Sequence, residues 1–150
     1  MSDASLKDRL RRELTDALRA GDKLRLGALR MLSASVTNRE KELRRELTDD
    51  EVREVAAREV KRRSESIEAF EKGGRRDLVD KETQERDVLS SYAPEMLSEQ
   101  QVDSLIEEAV SETGATSLRD MGKVMSAVME RGKGRVDGGI VQVKVRARLG

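Results

Sequence analysis

The sequence contains no cysteine and no histidine. The lack of cysteine excludes disulfides and thiol nucleophiles. The lack of histidine excludes imidazole-based zinc sites and the Ser-His-Asp and Cys-His catalytic groups. Together these absences remove most familiar catalytic arrangements, and we expect neither a resident metal nor a cofactor.

Aromatic side chains and long apolar runs are scarce as well. Phe70 and Tyr92 are the only aromatic residues, whereas 40% of the residues are charged, so Leu, Val, Ile, Met and Ala must form the core. This composition is typical of a helical bundle. No apolar run approaches the roughly 20 residues of a membrane span, and residues 1–10 lack the apolar centre of a signal peptide. We therefore expect a soluble, cytoplasmic protein.

The charges balance overall but are distributed unevenly along the chain. Residues 1–91 carry 22 basic and 21 acidic side chains, residues 92–112 carry none and six, and residues 113–150 carry eight and three. The C-terminal third is therefore the basic end of the molecule, with a net charge of +5. Such an asymmetry can steer an anionic partner even when the total charge is zero.

Apolar residues recur at helical spacing along most of the chain. A first helix is predicted over residues 5–21, with Leu18 among the residues of its packing face, and Asp22 is the predicted cap of a second. Thr48 with Glu51 predicts a capping box for a third helix, which runs to Gly73-Gly74. A fourth is predicted over residues 77–92.

Pro94, the single proline, marks the predicted boundary between two domains, because proline disfavours helical geometry in the preceding residue. Ser98 with Gln101 then predicts another capping box. We predict an all-α fold in which an N-terminal multi-helix domain (residues 1–92) is followed by a C-terminal three-helix domain (residues 95–150).

Residues 140–149 alternate apolar and polar side chains, a pattern that locally favours a β-strand. No other segment resembles a strand, and an isolated strand has no partner for its hydrogen bonds. We therefore predict a helix here, with Val141, Val145 and Leu149 on its packing face.

Residues 121–139 form the most distinctive segment of the chain. An apolar helical stripe is followed by Gly132, the predicted left-handed residue that ends the helix, then by Lys133-Gly134-Arg135 and by Asp137, the predicted cap of the next helix. The stripe consists of Leu118, Met121, Val124, Met125, Val128 and Met129. Two cations on a glycine hinge suggest a docking surface for phosphates. The alternative is a solvated loop, with methionines that belong to the core rather than to a binding groove.

A second basic patch comprises Arg58, Lys61 and Arg62 on the predicted third helix. Two interpretations stay open for this patch. It is either a solvated face with ion pairs along the helix or a secondary binding contact.

The chain resembles the GatB/YqeY family over nearly its whole length. The resemblance rests on residues 24–32 (LRLGALRML), 62–75 (RRSESIEAFEKGGR), 92–98 (YAPEMLS), 121–125 (MGKVM) and 134–138 (GRVDG). It implies an N-terminal helical domain joined to a three-helix domain similar to the tail of GatB, the large chain of the tRNA-dependent glutamine amidotransferases. The family pattern has alanine at the position of Val136, which is a departure in this turn.

Two classes of function follow from these observations. In the first, the protein is an accessory module that contacts tRNA or another structured RNA through cations of the C-terminal domain, mainly at phosphates. These are Lys123, Arg131, Lys133, Arg135, Lys144, Arg146 and Arg148. With four to six phosphates engaged, the log–log salt slope of binding would be about −3 to −5. In the second, the protein is an adaptor that docks on an amidotransferase, an aminoacyl-tRNA synthetase or a translation factor.

The resemblance also implies the activity of a carbon–nitrogen ligase with glutamine as amido donor. That reaction needs a phosphate-activating site and a source of ammonia. The turn at Gly132-Lys133-Gly134 does not fit a P-loop, because Ala127 occupies the first glycine position. Acidic pairs such as Glu107-Glu108 are typical of a solvated helix face. We therefore expect the isolated chain to have no catalytic residues and no ligase activity.

Overall fold

The computed structural model describes residues 5–150, so the first four residues of the predicted N-terminal domain lie outside the described residues. Within this range the chain forms seven α-helices and no strand, which confirms the all-α prediction. The helices are α1 (Leu6–Ala20), α2 (Lys23–Leu43), α3 (Asp49–Lys72), α4 (Arg76–Ser90), α5 (Glu99–Thr113), α6 (Met121–Arg131) and α7 (Gly138–Leu149). A short 3-10 helix, Leu118–Asp120, precedes α6.

Side-chain caps mark the starts of α1, α2, α3, α5 and α7. Both predicted capping boxes are present, at Thr48 with Glu51 and at Ser98 with Gln101. The Asp137 carboxylate accepts hydrogen bonds from the first backbone N–H groups of α7. These contacts satisfy donors that have no partner within the helix. The helical prediction for residues 140–149 is confirmed, since an isolated strand would have left its backbone groups unpaired.

The described residues up to Pro94 form one compact unit, which contains α1 to α4. Its core is aliphatic except for Tyr92, which lies just after α4 and is buried. The Tyr92 hydroxyl donates a hydrogen bond to the Glu13 carboxylate, which also pairs with Arg9 and Arg25. The prediction that Leu18 packs inward was wrong. Its side chain is 60% exposed, because no element within residues 5–150 covers it.

Residues 95–150 form a second compact unit, which contains α5, α6 and α7. Its core consists mainly of valines, and Met121, Met125 and Met129 pack against it, as the core interpretation of these methionines requires. Leu118 was predicted to share their face but is exposed, because the chain is in a 3-10 turn there and the α-helical spacing does not apply. The division into domains at residues 1–92 and 95–150 stays a prediction.

The turn between α6 and α7 differs from its predicted geometry. Gly132 has a φ of −92°, so it is not the left-handed residue, whereas Gly134 has a φ of +68°. Gly132 is needed for another reason: a Cβ atom there would lie 2.8 Å from Cγ1 of buried Val136. The space that a side chain at position 132 would fill is occupied by the side chain of Val136.

Candidate nucleic-acid interface

The seven predicted RNA-binding cations all lie in the second unit, on α6, α7 and the turn between them. Lys123 and Arg131 are on α6, Lys133 and Arg135 are on the turn, and the others are on α7. Helix α7 carries Lys144, Arg146 and Arg148 and no acidic residue. The elements thus place every predicted cation on the same three-helix unit, in agreement with the charge distribution of the sequence.

Helix α5 supplies carboxylates that pair with part of this set. Its acidic residues at positions 99, 103 and 107 recur every four residues, so they form one stripe along the helix. Lys144 Nζ lies 2.9 Å from both Glu99 Oε1 and Asp103 Oδ1. The hydrogen bond to Asp103, which has the larger effect, and the one to Glu99 both raise the pKa of Lys144, so its ammonium group stays charged.

Two arginines are paired in the same way. Arg148 Nε lies 2.6 Å from Glu107 Oε1, and this hydrogen bond raises the pKa of Arg148. Arg131 Nη1 lies 3.4 Å from Glu108 Oε2, and its other terminal nitrogen contacts Glu112. All of these pairs are solvent-exposed to a considerable degree, so water screens them and they contribute little stability.

Arg135 has a structural role in the turn. Its Nε donates a hydrogen bond to the Glu95 carbonyl oxygen at 2.9 Å, and its own carbonyl accepts one from the Leu97 backbone N–H at 2.8 Å. These two bonds hold the turn against the segment that leads into α5. Arg135 is therefore already engaged by backbone groups of its own unit.

Lys123, Lys133 and Arg146 differ from the other four. All three are exposed, and within residues 5–150 no carboxylate approaches them to ion-pair distance. Because residues 95–150 contain eight basic and nine acidic side chains, the unit as a whole has a net charge of −1. Of the predicted set, only these three cations have no ion pair or side-chain hydrogen bond in the described residues that phosphate binding would have to replace.

The secondary basic patch lies on α3 in the first unit. Arg58 and Lys61 are exposed, while Arg62 Nη1 lies 3.3 Å from Glu59 Oε1. An ion pair along the helix accounts for one of the three cations. The patch is too small to be a main phosphate surface, because only two of its three cations, Arg58 and Lys61, have no ion pair within the described residues.

A shallow cleft of about 290 Å³ lies where α3 turns into α4. Phe70 and Val79 line it together with Arg75 and Arg76. The Arg75 guanidinium lies 3.2 Å from Asp77, and the hydrogen bond between them raises the pKa of Arg75 and lowers that of Asp77. The cleft is lined by acidic as well as basic residues, so its charge favours neither an anion nor a cation.

A buried ionic cluster in the first unit was not predicted from the sequence. Arg63 Nε on α3 lies 3.4 Å from Glu82 Oε2 and 3.3 Å from Glu85 Oε2 on α4, and its Nη2 lies 3.9 Å from Glu59 Oε2. A signal was available in the spacing, because Arg63 falls four residues before Ile67 and seven after Ala56 on the packing face. The carboxylates of α4 could not be assigned to it without the tertiary structure.

Within residues 5–150, no group of three or more carboxylates is arranged to hold a metal ion. None of the helices in that range combines the length and apolar character that a membrane crossing requires.

The fold and the site define a small all-helical protein with a charged three-helix unit at its C-terminal end. The model of the YqeY-like protein family matches residues 7–149, and the chain belongs to this family.

Two fungal proteins illustrate the relationship. The chain is 34% identical to "Altered inheritance of mitochondria protein 41, mitochondrial" of Pyrenophora tritici-repentis. The aligned region has 145 residues, which make up 95% of this chain and 80% of the relative. The protein of the same name from Lachancea thermotolerans is 27% identical over 106 residues, or 69% of this chain and 57% of the relative. Both names place those relatives in mitochondria.

Proposed function

We propose that the chain is an accessory helical protein of tRNA-dependent glutamine amidotransferase chemistry, and that it contacts tRNA without performing the ligase reaction. The resemblance of residues 95–150 to the amidotransferase tail suggests the class of RNA. The observation that supports the contact is the set of exposed cations Lys123, Lys133 and Arg146, since none has a carboxylate at ion-pair distance in the described chain. A cytoplasmic location belongs to the same proposal, although the fungal relatives are named as mitochondrial.

The ion pairs with α5 lower the expected salt dependence. A phosphate that takes over Lys144 or Arg148 leaves an α5 carboxylate without its cation, so the exchange gains little. Only the three remaining cations contribute fully to counterion release. We therefore expect a log–log salt slope of about −2 to −3, shallower than most of the range that the composition predicts.

The test is binding of the full chain to bulk tRNA at several salt concentrations. In one variant Lys123, Lys133 and Arg146 are changed to glutamate. A matched control changes Arg12, Arg19 and Arg30 to glutamate, because these exposed arginines of the first unit have no ion pair within residues 5–150. The total charge of the two variants is the same, so a difference between them reports position rather than net charge.

Salt-sensitive binding that is lost in the first variant and kept in the control supports the proposal. Absence of wild-type binding at low salt, or equal losses in the two variants, refutes it. Further variants with Arg58 and Lys61 changed to glutamate show whether the secondary patch contributes. The proposal also states that the chain does not perform the ligase reaction. This part is refuted if the purified chain, free of other amidotransferases, amidates a misacylated tRNA in the presence of glutamine and ATP.

A second candidate function is an adaptor that docks on an amidotransferase, an aminoacyl-tRNA synthetase or a translation factor. The observation that favours it is the exposure of Ile140 and Val143 on α7, at 56% and 70% of their surfaces. Phosphate contacts make no use of large aliphatic side chains, whereas a protein partner gains affinity by burying them.

A further inference from the structure

Helix α7 has apolar side chains on two opposite sides. At about 100° per residue, Val141, Val145 and Leu149 form one stripe, and Ile140, Val143 and Ala147 form another about 180° away. The first stripe is buried in the core of the second unit. All three residues of the second, which we call the outer stripe, are exposed. A helix that only covers the core would carry polar residues on this side.

Cations border the outer stripe on both sides. Lys144 lies on the edge that faces α5, and Arg146 lies on the opposite edge, as the helical rotation per residue requires. Lys144 is held by Glu99 and Asp103, whereas Arg146 has no carboxylate at ion-pair distance within the described residues. With no acidic residue in α7, the outer stripe and its two borders carry only apolar and basic side chains.

We propose that the outer stripe of α7 is the docking surface for an amphipathic helix of another protein, one whose apolar positions are bordered by Asp and Glu. The inference rests on the adaptor function and specifies its surface and partner chemistry. A helix with these properties would bury Ile140 and Val143 and pair a carboxylate with Arg146, whereas Lys144 keeps its two partners on α5. Helices pack side by side through such a seam when their flanking charges are opposite.

A second copy of this chain is a poorer occupant of the outer stripe. Two α7 helices packed stripe to stripe would bring Lys144 and Arg146 of each copy close to the same residues of the other, and like charges at a seam are unfavourable. Helix α5 is acidic, but its apolar residues, among them Val102 and Ile106, are buried in its own core. Helix α5 therefore offers no exposed apolar stripe between its acidic residues.

The test uses the full chain and two synthetic helical peptides of about three heptads. The acidic probe has leucine at the seam positions and glutamate beside them, and the basic probe has lysine in place of each glutamate. Binding is followed by fluorescence anisotropy of the labelled peptide. We expect the chain to bind the acidic probe and not the basic one.

Variants locate the contact on the molecule. Ile140→Gln and Val143→Gln are each expected to weaken binding of the acidic probe about tenfold, the change that corresponds to burial of one aliphatic side chain. Leu18→Gln is the matched control, because Leu18 is a similarly exposed aliphatic residue on a helix of the first unit. It should leave the affinity unchanged.

Several results would overturn the inference. One is equal binding of the two probes. Others are a Val143→Gln variant that binds like the wild type, or a Leu18→Gln variant that loses as much affinity. Self-association that Val143→Gln abolishes would assign the stripe to a second copy. Binding to anionic phospholipid vesicles but not to the acidic probe would assign it to a membrane surface. Loss of tRNA binding in Val143→Gln, with tRNA displacing the probe, would assign it to RNA.

The adaptor function is tested separately with a purified amidotransferase, a purified aminoacyl-tRNA synthetase and a purified translation factor. If the wild-type chain binds none of the three, the adaptor function itself fails. If it binds one of them and Val143→Gln binds equally well, the adaptor function stands and only the assignment of the outer stripe is wrong.

Discussion

The buried cluster around Arg63 makes the first unit sensitive to the loss of a single guanidinium group. The Arg63 side chain is 7% exposed and is surrounded by three carboxylates, those of Glu59, Glu82 and Glu85. The contacts at 3.3–3.4 Å are ion pairs without hydrogen-bond alignment, since Arg63 Nε and Glu82 Oε2 have no hydrogen-bond partner. We predict that Arg63→Met destabilises the protein, although methionine fills a similar length of the site.

The magnitude follows from the carboxylates that would be left behind. Removing one member of a buried ion pair costs about 3–5 kcal/mol, because the remaining charge is neither hydrated nor paired. Other groups partly compensate here: Glu59 Oε1 accepts a hydrogen bond from Ser35 at 2.9 Å, and Lys81 Nζ lies 4.0 Å from Glu85. We therefore expect a loss of about 3 kcal/mol, the lower end of that range, from a total that is typically about 5–15 kcal/mol.

The assay is urea unfolding of the full chain at pH 7, followed by far-ultraviolet circular dichroism. Arg58→Met is the matched control, because Arg58 is an exposed arginine on the same helix. It should change the free energy of unfolding by less than about 0.5 kcal/mol. The double variant Arg63→Met, Glu82→Gln should recover part of the loss, because one unpaired charge is removed. A loss below about 1 kcal/mol for Arg63→Met, or a loss equal to that of the control, would refute the reasoning.

Two further predictions concern single groups. Burial raises the pKa of Glu13, but the hydrogen bond from Tyr92 and two nearby arginines outweigh this effect and lower the pKa below 4.5. Because the folded-state pKa lies below the unfolded value, the stability from Glu13 is present above about pH 4.5 and is lost as the pH falls through the folded pKa. Glu13→Gln should therefore flatten the dependence of unfolding free energy on pH in that acidic range, and an unchanged profile would contradict the assignment. Gly132→Ala should cost about 1–3 kcal/mol, because its Cβ would lie 2.8 Å from Val136 Cγ1. Thermal unfolding of Gly132→Ala beside Gly132→Ala, Val136→Ala checks this, since the double variant should be the more stable if the clash is the cause.

The helices were predictable because their signals are local. Thr48 and Ser98 satisfy backbone donors within three residues, so their effect does not depend on the rest of the fold. The errors arose where a distant or non-helical neighbour decided the outcome. Leu18 has helical spacing but no element to cover it, and Gly132 is required by contact with Val136 rather than by its own φ.

For the candidate interface, the sequence predicts which residues are cations but not which carboxylates they pair with. Excess charge in residues 113–150 indicates where cations are, but the partners of Lys144 are 41 and 45 residues away along the chain. The four-residue spacing of the carboxylates predicts that they form a stripe along α5. It does not predict that this stripe faces α7. Three of the seven cations are paired with carboxylates and Arg135 is bonded to a backbone carbonyl, which leaves three that have neither kind of partner in the described chain.

The sequence by itself determined the all-helical architecture, the starts of the capped helices and the exclusion of thiol and imidazole chemistry, because each depends on residue type or on neighbours within one helical turn. Only the tertiary structure decided which cations are neutralised and which aliphatic residues of α7 stay outside the core. It also decided that Arg63 is buried among carboxylates of another helix. These outcomes depend on contacts between side chains that are remote in sequence, and no local spacing contains that information.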